Sequence, residues 1–182
     1  NDALLIDAPK DVTNAILATI EVRGLNITQI VITHGHWDHI GDTAQLKAAL
    51  GKPVLAHRLV VDRLRTPSSP LGPLPVHIDP SDADQLIDEG DTLSLGEHQF
   101  SVWFLPGHDP GHIVLVDGAD KIVLGGDVLF PNGHGRIDLP GCNEADMMAS
   151  LRRLGALADD VTVYPGHGLP TTIGAERGWL PA

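Results

Sequence analysis

His34-Gly-His36-Trp-Asp38-His39 packs four metal-binding side chains into six residues. Neutral imidazoles beside a carboxylate suit a borderline divalent cation such as zinc. His34 and His36, two positions apart, can close on one ion, while Asp38 and His39 can reach a second. So dense a cluster of polar groups is costly to bury unless something satisfies it, which points to metal binding or catalysis rather than packing.

Three later motifs carry the same residue types: Pro106-Gly107-His108-Asp109-Pro110-Gly111-His112, Gly125-Gly126-Asp127 and Tyr164-Pro165-Gly166-His167-Gly168. In each, a β-branched or aromatic run leads into Gly or Pro and then a ligand-type residue. Glycine permits positive φ and close backbone approach, so such turns can aim ligands from several strands at one place.

The elements that must hold these motifs follow from hydrophobic pattern and punctuation. Leu4–Asp7 reads as a strand, followed by a helix from Asp11-Val12-Thr13 to Gly24 with Ile16, Leu17, Ile20 and Val22 mainly on one side. The strand Ile27–Thr33 delivers the histidine cluster. Asp42 is the expected N-cap of a helix Thr43–Leu50, closed by Gly51. A strand at Pro53–His57 and a helix at Leu59–Leu64 precede Thr66–Pro80, whose five prolines make it a loop. Strands are expected at Leu86–Ile87, Thr92–Leu95, Gln99–Leu105, Ile113–Val116, Ile122–Leu124 and Val161–Tyr164. Asn143 caps a helix to about Leu157 with Met147, Met148, Leu151 and Leu154 as its core stripe. On pattern alone this is an α/β or α+β protein with ligands at strand ends.

The 182 residues suffice for one domain with a proper core, and 42% are hydrophobic. The net charge of −12 argues against a nucleic-acid partner, and no apolar run reaches membrane-spanning length. Cys142 is the only cysteine, which precludes an internal disulfide. With no visible signal peptide, a cytoplasmic location is the expectation.

The four motifs, in this order and over nearly the whole chain, resemble the metallo-β-lactamase superfamily of metal-dependent hydrolases. Gly126-Asp127-Val128-Leu129-Phe130, Gly135-Arg136-Ile137-Asp138-Leu139-Pro140-Gly141, and Pro165-Gly166-His167-Gly168 with Thr172-Ile173-Gly174-Ala175-Glu176-Arg177 resemble its glyoxalase II-like hydrolases, especially the short, single-domain type. The resemblance implies a four-layer αβ/βα sandwich spanning 1–182, with the metals at one edge of two sheets. Family members usually carry one or two further strands ahead of Leu4, so such strands are expected to precede the sequence given. The helical domain that binds glutathione in full-length glyoxalase II is not expected here.

Carried over residue by residue, the resemblance implies that His34, His36 and His108 bind one metal. Asp38, His39 and His167 bind the second, and Asp127 bridges both. The expected cofactor is a pair of divalent ions, zinc first, with iron or manganese as alternatives. The bridging Asp127 departs from true β-lactamases of this fold, and His36 departs from the flavodiiron branch, where an acidic residue stands. Asp109 stands where Thr is usual; it is either a partner of a ligand imidazole or a solvated turn residue.

The implied function is hydrolysis of a thioester or related activated ester of a small molecule by a hydroxide held between the metals, with Asp38 and Asp127 as the catalytic carboxylates. The alternatives are a persulfide dioxygenase with a single iron on His34, His108 and Asp127, a lactonase, and a metal-binding protein without catalysis. His112 is expected to support the site rather than bind metal, His57 and His77 to be surface or structural, and His134 to be able to line a pocket. Arg136 and Asp138 are expected to pair, Trp37 to pack beneath the ligands, Tyr164 to be mostly core, and Cys142 not to act as a nucleophile.

Overall fold

Strands alternating with helices build the first of two compact units, Asn1–Ile87 and Asp88–Ala182; the computed structural model describes residues 1–181. The first unit runs β1 (Asp2–Ile6), α1 (Thr13–Arg23), β2 (Asn26–Ile32), α2 (Trp37–Ile40), α3 (Thr43–Leu50), β3 (Val54–Ala56), a 3-10 turn (Arg58–Val60), α4 (Val61–Arg65) and β4 (Gln85–Leu86). Its sheet has the order β1-β2-β3-β4, parallel throughout. Parallel neighbours need crossovers, and the helices and longer loops between the strands supply them. The central strands are apolar on both faces, as a covered parallel sheet requires. Ile30, Ile32, Val54 and Ala56 cluster with Ile40, Leu46, Val60 and Leu64, while Val31 and Leu55 are fully buried on the alternate positions.

Two expectations for this unit need correction. Helix α1 buries no residue completely: Val22 is 85% exposed, and only Ile16 of its apolar positions leans on the core. Asp42 precedes α3 but its side chain makes no cap. The carboxylate instead takes hydrogen bonds from Lys10 (3.1 Å) and from the backbone N–H (3.1 Å) and hydroxyl (2.9 Å) of Thr13. Burial works to raise its pKa, and these bonds outweigh that and hold it below the usual carboxylate range. Tertiary partners thus outcompete the local cap. Gly24 and Gly51 do close their helices in the left-handed region, at φ 60° and 62°.

The second unit contains β5 (Thr92–Leu95), β6 (His98–Phe104), β7 (Ile113–Asp117), β8 (Ile122–Gly126), β9 (Leu129–Phe130), β10 (Gly133–His134), α5 (Glu144–Gly155), β11 (Thr162–Pro165), β12 (Thr171–Thr172) and α6 (Ile173–Glu176). Its main sheet has the order β12-β11-β8-β7-β6-β5, and β9 and β10 form a separate antiparallel pair. All pairings in the main sheet are antiparallel except β8 with β11, which α5 connects. Asn143 caps α5 by accepting the Asp146 N–H at 3.0 Å. The helix packs Met147, Leu151 and Leu154 against Val114, Val116, Val123 and Val163 of the sheet. Tyr164 is not core: it is 44% exposed, because the strand alternation that buries Val163 turns its neighbour outward. No helix among the described residues is long and apolar enough to cross a membrane.

Candidate metal centre

In the first unit, the ligand-type residues follow the C-terminal end of β2. His36 stands in extended conformation ahead of α2, and Asp38 and His39 lie within that short helix. The rings of His34 and His36 are 4.9 Å apart and those of His34 and His39 4.1 Å apart. All three histidines are buried, whereas the Asp38 side chain is 37% exposed.

Asp7 organises this cluster, and the sequence reading passed over it. It sits just past β1 with φ 60°, a left-handed conformation that a non-glycine residue adopts at a cost. Its Oδ1 accepts the Thr33 N–H at 2.7 Å, and its Oδ2 accepts the Thr33 hydroxyl at 2.8 Å and faces His39 Nδ1 at 2.8 Å. The Thr33 hydroxyl donates to Asp7, so its oxygen is the acceptor for His34 Nδ1 at 3.0 Å. Both imidazoles therefore donate through Nδ1, and the lone pair of each ring is on Nε2.

The second unit places its ligand-type residues at the ends of β6, β8 and β11. His108 Nε2 and His167 Nε2 each lie 3.6 Å from the same carboxylate oxygen, Oδ2 of Asp127. Strand pairing sets this alignment: Pro165 is registered with Gly126, and Gly166 N–H donates to the Gly126 carbonyl at 2.7 Å. His108 Nδ1 donates to the Arg136 carbonyl at 2.8 Å, which again leaves Nε2 with the lone pair. Gly135 permits this approach, because a Cβ there would lie 2.0 Å from the Asp127 carbonyl and 2.9 Å from the His108 ring. Gly107 has φ 137°, and a Cβ there would meet the Met147 backbone at 2.4 Å; glycine lets the β6–β7 loop rest directly on α5. In each unit, Nε2 donors oriented by carbonyl, hydroxyl or carboxylate partners suit a divalent metal with nitrogen and oxygen ligands, and in the second Asp127 adds a carboxylate held against His108 and His167.

The remaining predicted residues fall into supporting places. His112 is fully buried, and its Nε2 accepts the Asp127 N–H at 2.9 Å, so it fixes the backbone of the carboxylate. Asp109 is buried rather than solvated, and its Oδ1 takes the Gly111 N–H at 2.7 Å to shape the turn before His112. Arg136 and Asp138 form the expected twofold ion pair, both contacts 2.8 Å. His57 is buried and caps the 3-10 turn through the Leu59 N–H, whereas exposed His77 pairs with Asp79 at 2.9 Å. His134 Nδ1 donates to the Gly135 carbonyl at 2.7 Å. Cys142 Sγ donates to the His108 carbonyl at 3.0 Å; burial pushes its thiol up, which suits a structural donor and not a nucleophile.

Residues 1–167 match the family model described as "Metallo-beta-lactamase superfamily". Among curated proteins, the chain is 35% identical over 182 residues to hydroxyacylglutathione hydrolase GloC of Haemophilus influenzae, covering 97% of this chain and 84% of that protein. Among solved structures, BLEG-1 B3 metallo-beta-lactamase matches with a TM-score of 0.89 and 31% identity, over 99% of this chain and 88% of the other. TTHA1623 in a di-iron-bound form matches with a TM-score of 0.77 and 36% identity, over 97% and 86% of the two chains. With mixed α/β architecture, metal-type histidines and carboxylates at strand ends and a family match from the first strand to His167, this chain belongs to the metallo-beta-lactamase superfamily.

Proposed function

We propose that this chain is a dinuclear metal-dependent hydrolase of small-molecule thioesters or related activated esters, similar in activity to hydroxyacylglutathione hydrolase. The observation that carries the reading is Asp127, whose Oδ2 lies 3.6 Å from both His108 Nε2 and His167 Nε2. A carboxylate held between two imidazoles suits a bridge between two cations, whose mutual repulsion it offsets. In this reading His34, His36 and His108 hold one ion, Asp38, His39 and His167 hold the other, and Asp127 is shared. The identity to GloC supports the substrate class. Zinc is the first choice of ion, and the di-iron form of TTHA1623 keeps iron beside it.

When bound, two such ions supply a hydroxide-strength nucleophile near neutral pH and polarise the scissile carbonyl. The chain's own residues do the positioning. Asp38, partly open to solvent, accepts a hydrogen bond from the attacking water and orients it toward the carbonyl carbon. A thiolate leaving group, with a pKa of about 8.5, departs with little proton assistance, which favours thioesters over alkyl esters.

The test is turnover of a panel of small acyl thioesters, including lactoyl-type glutathione esters, alongside elemental analysis. The expected result is two ions per chain and activity abolished by chelation. Activity retained in chelator with only trace metal would sink the proposal. One iron per chain with oxygen consumption on a persulfide would replace it by the dioxygenase reading.

The likeness to BLEG-1 supports a second reading, β-lactam hydrolysis. Parallel kinetics on β-lactams and thioesters at matched metal loading separate the two. Efficient β-lactam cleavage with inert thioesters would favour the second.

A further inference from the structure

We propose that the end of the β6–β7 pair remote from His108 carries a separate site for a divalent first-row transition ion, formed by His98, Asp117 and Asp120. Strand β6 begins at His98 and antiparallel β7 ends at Asp117, with Ser101 registered on Val116 and Phe104 on Ile113. His108 and His112 lie in the loop at the other end of the same pair. At about 3.3 Å per residue, the length of β6 puts the two ends about 20 Å apart.

The three residues each offer one ligand atom, and these atoms lie within 4.8 Å of one another. His98 Nδ1 is 2.5 Å from Asp120 Oδ2 and 3.5 Å from Asp117 Oδ2. Asp117 supplies an independent reason to expect a ligand. Its side chain is only 3% exposed. Its Oδ1 is engaged by the turn, accepting the Ala119 N–H at 2.9 Å and the Asp120 N–H at 3.1 Å. Its Oδ2 is buried and accepts no hydrogen bond, yet it faces into the cluster. That oxygen pairs with the His98 ring at 3.5 Å, an ion pair only when the imidazole is protonated, and a metal cation would take that place.

The donor set selects the class of ion. Two carboxylates and one imidazole favour zinc, cobalt, nickel or copper over magnesium or calcium, which prefer all-oxygen surroundings. The His98 side chain is 52% and that of Asp120 44% exposed, so solvent can complete the coordination. Such an ion would clip the start of β6 to the β7–β8 turn.

The inference does not rest on the hydrolase reading. The test uses the full chain as purified, dialysed against added zinc, beside His98→Ala and Asp120→Ala. Both substituted side chains are exposed, and unfolding of the three proteins without added zinc checks that the fold is kept. Asp117 is left intact because it holds the turn. The wild-type chain is expected to take up one more ion than either variant, and added zinc to raise the Tm of the wild type alone. Added copper should also broaden the amide signals of His98, Asp117 and Asp120 in the wild type. Equal uptake by all three proteins, or broadening confined to other residues, would overturn the proposal.

Discussion

Asp7 Oδ2 stands 2.8 Å from His39 Nδ1, across a sequence separation of 32 residues. The same carboxylate holds Thr33, whose hydroxyl meets His34 Nδ1, so one residue past β1 orients two imidazoles. Asp7 is itself fixed by its N–H to the Val31 carbonyl at 2.8 Å. Asp7→Ala should therefore weaken metal retention by about 10–100-fold, the usual effect of losing a residue that orients a ligand. Asp7→Asn, which keeps an acceptor oxygen, should fall between. Competition with a chromophoric chelator reads this directly, and affinity unchanged in both variants would contradict it.

Removing the shared carboxylate should have a different signature. Asp127→Ala is expected to bind fewer ions per chain while unfolding much like the wild type without metal, since Asp127 is proposed as the shared ligand and lies outside the apolar core. Elemental analysis beside a metal-free thermal melt checks it. Wild-type stoichiometry would mean that Asp127 is not the bridge.

Gly135→Ala tests the close approach beneath His108. The added methyl must displace the Asp127 carbonyl or the His108 ring, and overpacking of this kind costs about 1–3 kcal/mol. The expected outcome is a lower unfolding free energy in denaturant together with weaker metal retention. A variant with wild-type values for both would show that the loop yields freely.

Glu176 is a buried carboxylate that joins three segments: it accepts the Asn132 N–H at 2.7 Å, the Thr171 hydroxyl and the Trp179 indole N–H at 2.6 Å. Burial acts to raise its pKa, but the bonds from Thr171, Trp179 and Asn132 prevail and hold it below its ordinary value of 4.5. A depressed folded-state pKa means that the stabilisation is full above the unfolded value and is lost as pH falls through the folded one. Glu176→Gln should thus be less stable than wild type by about 1–3 kcal/mol at neutral pH. The gap should shrink as pH drops below about 4.5. Denaturant titrations across that range check the sign, and a gap that widens on acidification would refute it.

The sequence showed much of this arrangement where the signal was local. The β-branched run expected at Ile27–Thr33 became β2 within one residue at each end, and Thr92–Leu95 matched β5 at both ends. The motifs of ligand-type residues were readable because each combines a strand end, a glycine or proline and a histidine or aspartate within a few residues. What was not readable depends on distant partners. Asp7 looks like the last residue of a strand until β1 pairs with β2 and brings Thr33 and His39 beside it. Asp42 carries a cap signal that Lys10 and Thr13 overrule. Pairs and turns as short as β9, β10, β12 and α6 contain too few residues for a period to show.

The register of β8 on β11 has a consequence for how this chain can vary over generations. Asp127 and His167 are indexed to each other by Leu124 against Tyr164, Gly126 against Pro165 and the Gly166 bond to Gly126, and not by the length of chain between them. Insertions or deletions in the loops around Asn132 or Gly141 can therefore be absorbed without changing that spacing. Deleting one residue within Tyr164–Gly166 would instead slide the histidine by about 3.3 Å and turn alternate side chains to the wrong face. Descendants of this sequence are thus free to remodel those connecting loops, while the few residues that act as the ruler tolerate no change in length.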